Sequence, residues 1–169
     1  MKFNRLWMVL ICFSFLLSAC GKENNEKVSA SAEPKVDLSS YPVGVQERKI
    51  SLEYYNILLE ANTKLGEFNK NLKNASGNDI EEKKNLYRKF LVYVNGVSYT
   101  PVNDAEKEID NYFSSFLYNA KLYSEHQIKS YDSKSELDSS VAKDYAINAQ
   151  NDMLMVTEIM DKYQLFNEN

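Results

Sequence analysis

The chain has 169 residues, 20 basic and 24 acidic, for a net charge of −4. A negative balance with no basic cluster argues against nucleic acid, or an anionic membrane surface, as an electrostatic partner. One histidine (His126) and two cysteines (Cys12 and Cys20) are too few for a His- or Cys-rich metal centre.

Lys2 and Arg5 precede an uncharged apolar run from Leu6 to Ala19. As a helix that run would span about 21 Å, short of the roughly 30 Å hydrocarbon core of a bilayer. A positive start, a short apolar middle and small residues before a cut are the make-up of a signal peptide. Leu17-Ser18-Ala19-Cys20 closes the run. These four residues resemble the lipobox of bacterial lipoprotein precursors: an aliphatic residue, two small ones, then cysteine. The resemblance covers only residues 1–20. It implies cleavage between Ala19 and Cys20, a diacylglyceryl thioether on Cys20 as the lipid attachment, and acylation of the new amino terminus, as with palmitate. The partner so implied is a lipid bilayer. Gly21 is not Asp, which by the same resemblance favours the outer membrane of a two-membrane bacterium. In a single-membrane bacterium the protein would sit on the outer face of the cytoplasmic membrane. Two or more acyl chains hold a protein stably, at about 0.8 kcal/mol per buried CH₂. Loss of residues 1–19 leaves 18 basic and 24 acidic residues and one cysteine, which the lipid occupies. No disulfide can then form within the chain, so burial alone must hold the domain together.

Residues 20–46 read as the lipidated cysteine and a flexible linker. Lys22 to Lys27 is charged and polar, and Ser29 to Pro34 is small and flexible. Such a segment buries too little to offset its ordering entropy, and its 26 residues from Gly21 span about 25–30 Å on average as a coil. Tyr41-Pro42-Val43-Gly44-Val45 is the exception, expected to lie against the domain, with Pro42 and Gly44 keeping it non-helical.

Residues 47–169 carry helical patterning. Ile50, Tyr54, Ile57, Ala61, Leu65, Phe68 and Leu72 recur at steps of three and four and predict a first helix. Turn chemistry at Asn74 to Asn78 ends it. Asp79 with Glu82 predicts a capped second helix carrying Leu86, Tyr87, Phe90 and Val94, stopped by Asn95-Gly96. Residues 97–102 read as extended. Asn103 with Glu106 caps a third helix through Ile109, Phe113, Phe116 and Ala120, and Ser133 with Glu136 predicts the cap of a fourth, through Val141, Ala149, Val156 and Met160. Helices one, three and four come to about 42, 42 and 48 Å, and helix two to about 24 Å. The extended piece 95–102 adds about 26 Å and completes the second leg. The expected fold is all-α: an antiparallel up-down bundle of three long helices and one short helix.

Catalytic parts are missing. His126 stands between Glu125 and Gln127 and reads as a surface helix residue with no nucleophile to serve. The chain is therefore read as non-enzymatic, with no catalytic residue, cofactor or metal. Asp104, Glu106, Glu108 and Asp110 crowd the start of the third helix, as Asp79, Glu81 and Glu82 do the second. Favourable charge at the positive end of a helix explains both, with a weak hard-cation site as the functional alternative. Among twelve tyrosines, Tyr54, Tyr87, Tyr112, Tyr123, Tyr145 and Tyr163 sit on or beside the apolar stripes and are assigned to the core or its edge. Tyr55, Tyr99 and Tyr118 fall off the stripes and are the candidate contact residues, with the loop Gly96–Pro101 as the favoured place. The expected function is a non-catalytic envelope lipoprotein whose bundle docks another envelope protein. A peptidoglycan or glycan binder that stacks sugars on tyrosine is the alternative, as is a small-ligand binder with a cavity between helices.

Overall fold

In the computed structural model the described residues are 37–75 and 79–166. The signal segment, the lipid-attachment candidate Cys20 and the linker up to residue 36 lie outside them. The bundle is built from α1 (Val43–Gln46), α2 (Leu52–Asn74), α3 (Ile80–Gly96), α4 (Asp104–Ser133) and α5 (Glu136–Lys162).

Each long helix starts on a side chain that accepts from an otherwise orphaned N–H. Ser51 Oγ accepts from Tyr54 N (3.1 Å), Asp79 Oδ1 from Glu82 N (2.8 Å) and Asn103 Oδ1 from Glu106 N (2.9 Å). The fourth cap differs from expectation. Ser135, not Ser133, accepts at α5, from Asp138 N at 3.1 Å. α4 runs on through Ser133, whose hydroxyl donates to the Lys129 carbonyl (2.8 Å), and turns at Lys134 with φ of 54°. The left-handed turn residue, invisible in a cap pattern, moved the start by two residues.

Helices α2 to α5 alternate in direction. Phe68 of α2 stacks on Phe90 of α3 at 4.4 Å between ring centroids. Tyr87 midway along α3 shares a 2.8 Å hydroxyl–hydroxyl bond with Tyr123 late in α4. Lys162 at the end of α5 pairs with Glu108 at the start of α4 at 2.7 Å. Residues 97–103 carry the chain back from α3 to α4 without a helix, leaving Val97 and entering Asn103 in extended backbone. The bundle of three long helices and one short, with its second leg finished by non-helical chain, is thus the fold. Close backbone pairing joins α4 to α5 and α3 to α4, and α2 to α3 less extensively.

Two boundaries are corrected. The compact unit begins at Leu38, so residues 38–46 belong to the domain and not to the linker. Within them, Val43–Gln46 is a helical turn where a non-helical stretch was expected. Pro42 precedes the first helical residue, where its missing N–H costs nothing, and its carbonyl accepts from Val45 N and Gln46 N. The first long helix starts at Leu52, not Glu47, because Arg48 takes a positive φ of 57° and Ser51 supplies the cap.

The core is aromatic along its length. Tyr54 and Phe113 are fully buried and meet edge to face, and Tyr87 and Phe90 are buried beside Phe68. Tyr112, Tyr123, Tyr145 and Tyr163 are half-buried, as expected for core-edge positions. Tyr93 is an exception to polar satisfaction: its buried hydroxyl has no hydrogen-bond partner among the described residues. Burial, with the charge of Glu60, pushes that hydroxyl up to about 12. Tyr93→Phe is therefore expected to raise stability by up to about 1 kcal/mol, and Tyr87→Phe, which strips Tyr123 of its partner, to lower it by about as much. Urea midpoints of the two variants against wild type check this contrast.

Gly66 offers a second test. It lies inside α2, and a Cβ there would meet no heavy atom within 4 Å. Gly66→Ala should stabilise the domain by about 0.5–1 kcal/mol through helix propensity and a less flexible unfolded chain, seen as a rise of a few degrees in melting temperature.

Candidate functional site

The most organised polar cluster sits where α2 and α4 both begin. The Asn103–Glu106 spacing is that of a capping box, in which the glutamate returns to the cap residue's own N–H. Here Glu106 reaches further. Its Oε1 accepts from Ser51 N at 2.7 Å, on the neighbouring helix, and its Oε2 accepts from Val102 N at 2.7 Å and from Tyr99 Oη at 3.1 Å. The Tyr99 proton goes to the carboxylate, so Ser51 Oγ donates across its 2.9 Å contact to Tyr99 Oη and accepts in turn from Tyr54 N. Tyr99 also lies flat on Tyr54, with 4.6 Å between centroids. A fully buried carboxylate thus ties together the first turns of two helices and the 97–103 crossing. Burial works against the charge, but the donors from Ser51, Val102 and Tyr99 outweigh it and hold the Glu106 carboxyl below the usual glutamate range.

This geometry closes the site to chemistry. Both oxygens of Glu106 are occupied and no solvent reaches them, so it serves neither as a base nor as a cation ligand. The other acids at the start of α4 have separate partners. Asp104 pairs with Lys107, Glu108 takes Lys162 and the Tyr163 hydroxyl, and Asp110 accepts from Ser114 and from Tyr54. Among the described residues no group of three or more His, Cys, Asp or Glu side chains could hold a metal ion. At the start of α3, Glu81 is drawn to Arg88 (2.8 Å) and Lys84 (3.2 Å), and the Arg88 and Lys84 bonds hold its carboxyl low.

Of the three off-stripe tyrosines, Tyr118 is 61% exposed on α4. Tyr99 is half-buried with its hydroxyl committed to the cluster just described. Tyr55 is a correction: it is only 4% exposed and cannot form a contact surface. Tyr41 covers it edge to face at 6.1 Å, from the stretch that sequence alone had placed in the linker. His126 is also less superficial than expected. It is half-buried between α4 and α5, its Nδ1–H donating to Asp138 at 3.0 Å and its ring stacked on Tyr145. That bond from His126 holds Asp138 below the ordinary aspartate range.

A second feature lies at the other end of α2. Between the second half of α2 and the middle of α5 is a partly open cavity of about 420 Å³, floored by Phe90 and Phe116. Sequence reasoning had named a cavity between helices as a formal alternative without locating one. Its legible signal is the pair of small residues Ala146 and Ala149 on α5.

No family model matches the chain, and comparisons with curated proteins and with solved structures return no match. Among the described residues no helix is long and apolar enough to cross a membrane.

Proposed function

We propose that this chain is a lipid-anchored, non-catalytic lipoprotein of the bacterial envelope whose helical bundle binds another envelope protein. The observation that carries the reading is Leu17-Ser18-Ala19-Cys20 at the end of an apolar run that begins after Lys2 and Arg5. Cys20 would carry the diacylglyceryl group, and the domain would stand outside the cytoplasm, on the outer membrane or the outer face of the cytoplasmic membrane. Large apolar side chains left exposed on the bundle support a protein partner: Leu137 (74%), Val102 (70%) and Tyr118 (61%). Tyr118 in particular offers area and a hydroxyl at low entropic cost.

The test has two parts. Cells fed radiolabelled palmitate should incorporate label into wild type and not into Cys20→Ser, and the variant should leave the membrane fraction. Label in neither protein, or identical fractionation of both, overturns the anchor. Photo-crosslinking from position 118 in intact cells should then trap one defined band, and a blank at that position in a correctly anchored protein overturns the docking reading.

A further inference from the structure

The cavity between α2 and α5 exists because two things coincide. The backbones of these helices do not pair closely along this seam. The α5 residues that face it, Ala146 and Ala149, are too small to reach across. What remains is an apolar hollow whose walls are Leu65, Phe68 and Met153 over the two phenylalanines of its floor.

We propose that this cavity is a binding site for a neutral, largely apolar small molecule with one polar end. Its 420 Å³ falls in the range of ligand sites. An apolar cavity of roughly 150 Å³ takes one benzene and stays dry otherwise, so this one scales to about 17 non-hydrogen atoms. Charge selects the class. Among the described residues no Asp, Glu, Lys, Arg or His lines the cavity, and the phenol of Tyr123 has its hydroxyl bonded to Tyr87. An ionic group inside would lose its hydration with nothing to replace it. Asn69 and Gln150, both exposed, bring amides to the edge, and each can donate to and accept from one uncharged polar end. Ile147 and Leu154, which follow Ala146 and Met153 in α5, are also exposed, at 47% and 43%. The inference does not depend on the anchor: it concerns residues of the bundle alone, and failure of lipidation at Cys20 leaves it standing.

The probe is N-phenyl-1-naphthylamine, an uncharged aromatic amine of this size, titrated into the full chain labelled at the methionine methyls. The Met153 methyl resonance is expected to shift saturably, through the ring current of the naphthalene, while Met160, a buried methionine that does not line the cavity, stays in place. Ala149→Leu and, separately, Ala146→Leu fill the hollow and should weaken binding at least tenfold without lowering the melting temperature. Partition of the probe into the apolar leader is common to all three proteins and cancels in the comparison. A Met153 signal that does not move at saturating probe overturns the proposal. So does a shift that Met160 shares equally, or one that persists unchanged in whichever filled variant is folded.

Discussion

Glu106→Gln is expected to lower the stability of the domain by about 2–3 kcal/mol at neutral pH, which for a domain of this size is a fall of roughly 10 °C in melting temperature. The carboxylate accepts on both oxygens, and the amide offers one. Either the Ser51 N–H or the Val102 N–H is then left facing an NH₂ group in a site closed to water. The pH dependence has a definite sign. The folded carboxyl titrates below the ordinary value of 4.5, so its contribution is complete above that pH. As pH falls below 4.5 the unfolded chain takes up its proton first, and the contribution drains away until the folded carboxyl is protonated as well. Other carboxylates held low in the fold, such as Glu108 and Asp138, weaken wild type and variant alike over the same acid range. The difference between the two proteins isolates Glu106. Urea midpoints should therefore lie far apart at pH 7 and converge steadily below pH 4.5. A gap independent of pH would mean that Glu106 binds its proton equally well in the folded and unfolded chain, with no lowering of its carboxyl by the three donors.

Gly44→Ala is the second large effect, at about 2–3 kcal/mol. Its cause is close approach rather than backbone freedom. A Cβ at this position would overlap the Tyr163 carbonyl oxygen and stand 2.7 Å from Leu165 Cδ2. Gly44 N also donates to the Gln164 carbonyl at 3.0 Å, while Lys49 N returns to the Gly44 carbonyl at 2.8 Å. Carbonyl oxygens in a backbone turn cannot yield as a flexible side chain would, so the whole N-terminal turn must lift. Leu165, fully buried beneath it, loses its cover. Arg48 and Lys49 follow directly, so trypsin reports the event: the variant should be cut there many times faster than wild type under native conditions. Equal cleavage rates would show that the turn accommodates the methyl group.

Much of the bundle was legible in one dimension. The three- and four-residue steps through Tyr54, Leu65 and Phe68 mark the buried face of α2 because side chains at those intervals share one side of a helix. Caps at Asp79 and Asn103 were legible for a similar reason: the groups that satisfy an orphaned N–H lie within three residues of it. The Ser133 assignment failed where the deciding feature was a backbone dihedral at Lys134 and not a residue type. Tyr55 failed because position off a stripe predicts exposure only when nothing else covers the helix. Tyr41 covers it, from a stretch whose composition resembles a tether.

The sequence by itself determined an all-helical chain, its order of long and short rods and most of its caps, because helical period and end chemistry are interactions between near neighbours. The segment Leu17–Cys20 belongs with these, as a local pattern that carries the expectation of a lipid anchor. Only the tertiary structure decided that Glu106 of one helix satisfies Ser51 of another, that residues 38–46 close over the bundle, and that a hollow stays open between α2 and α5. Each of those depends on which faces meet across fifty or more residues of chain, and on how much volume the meeting side chains leave unfilled. No local pattern encodes that sum.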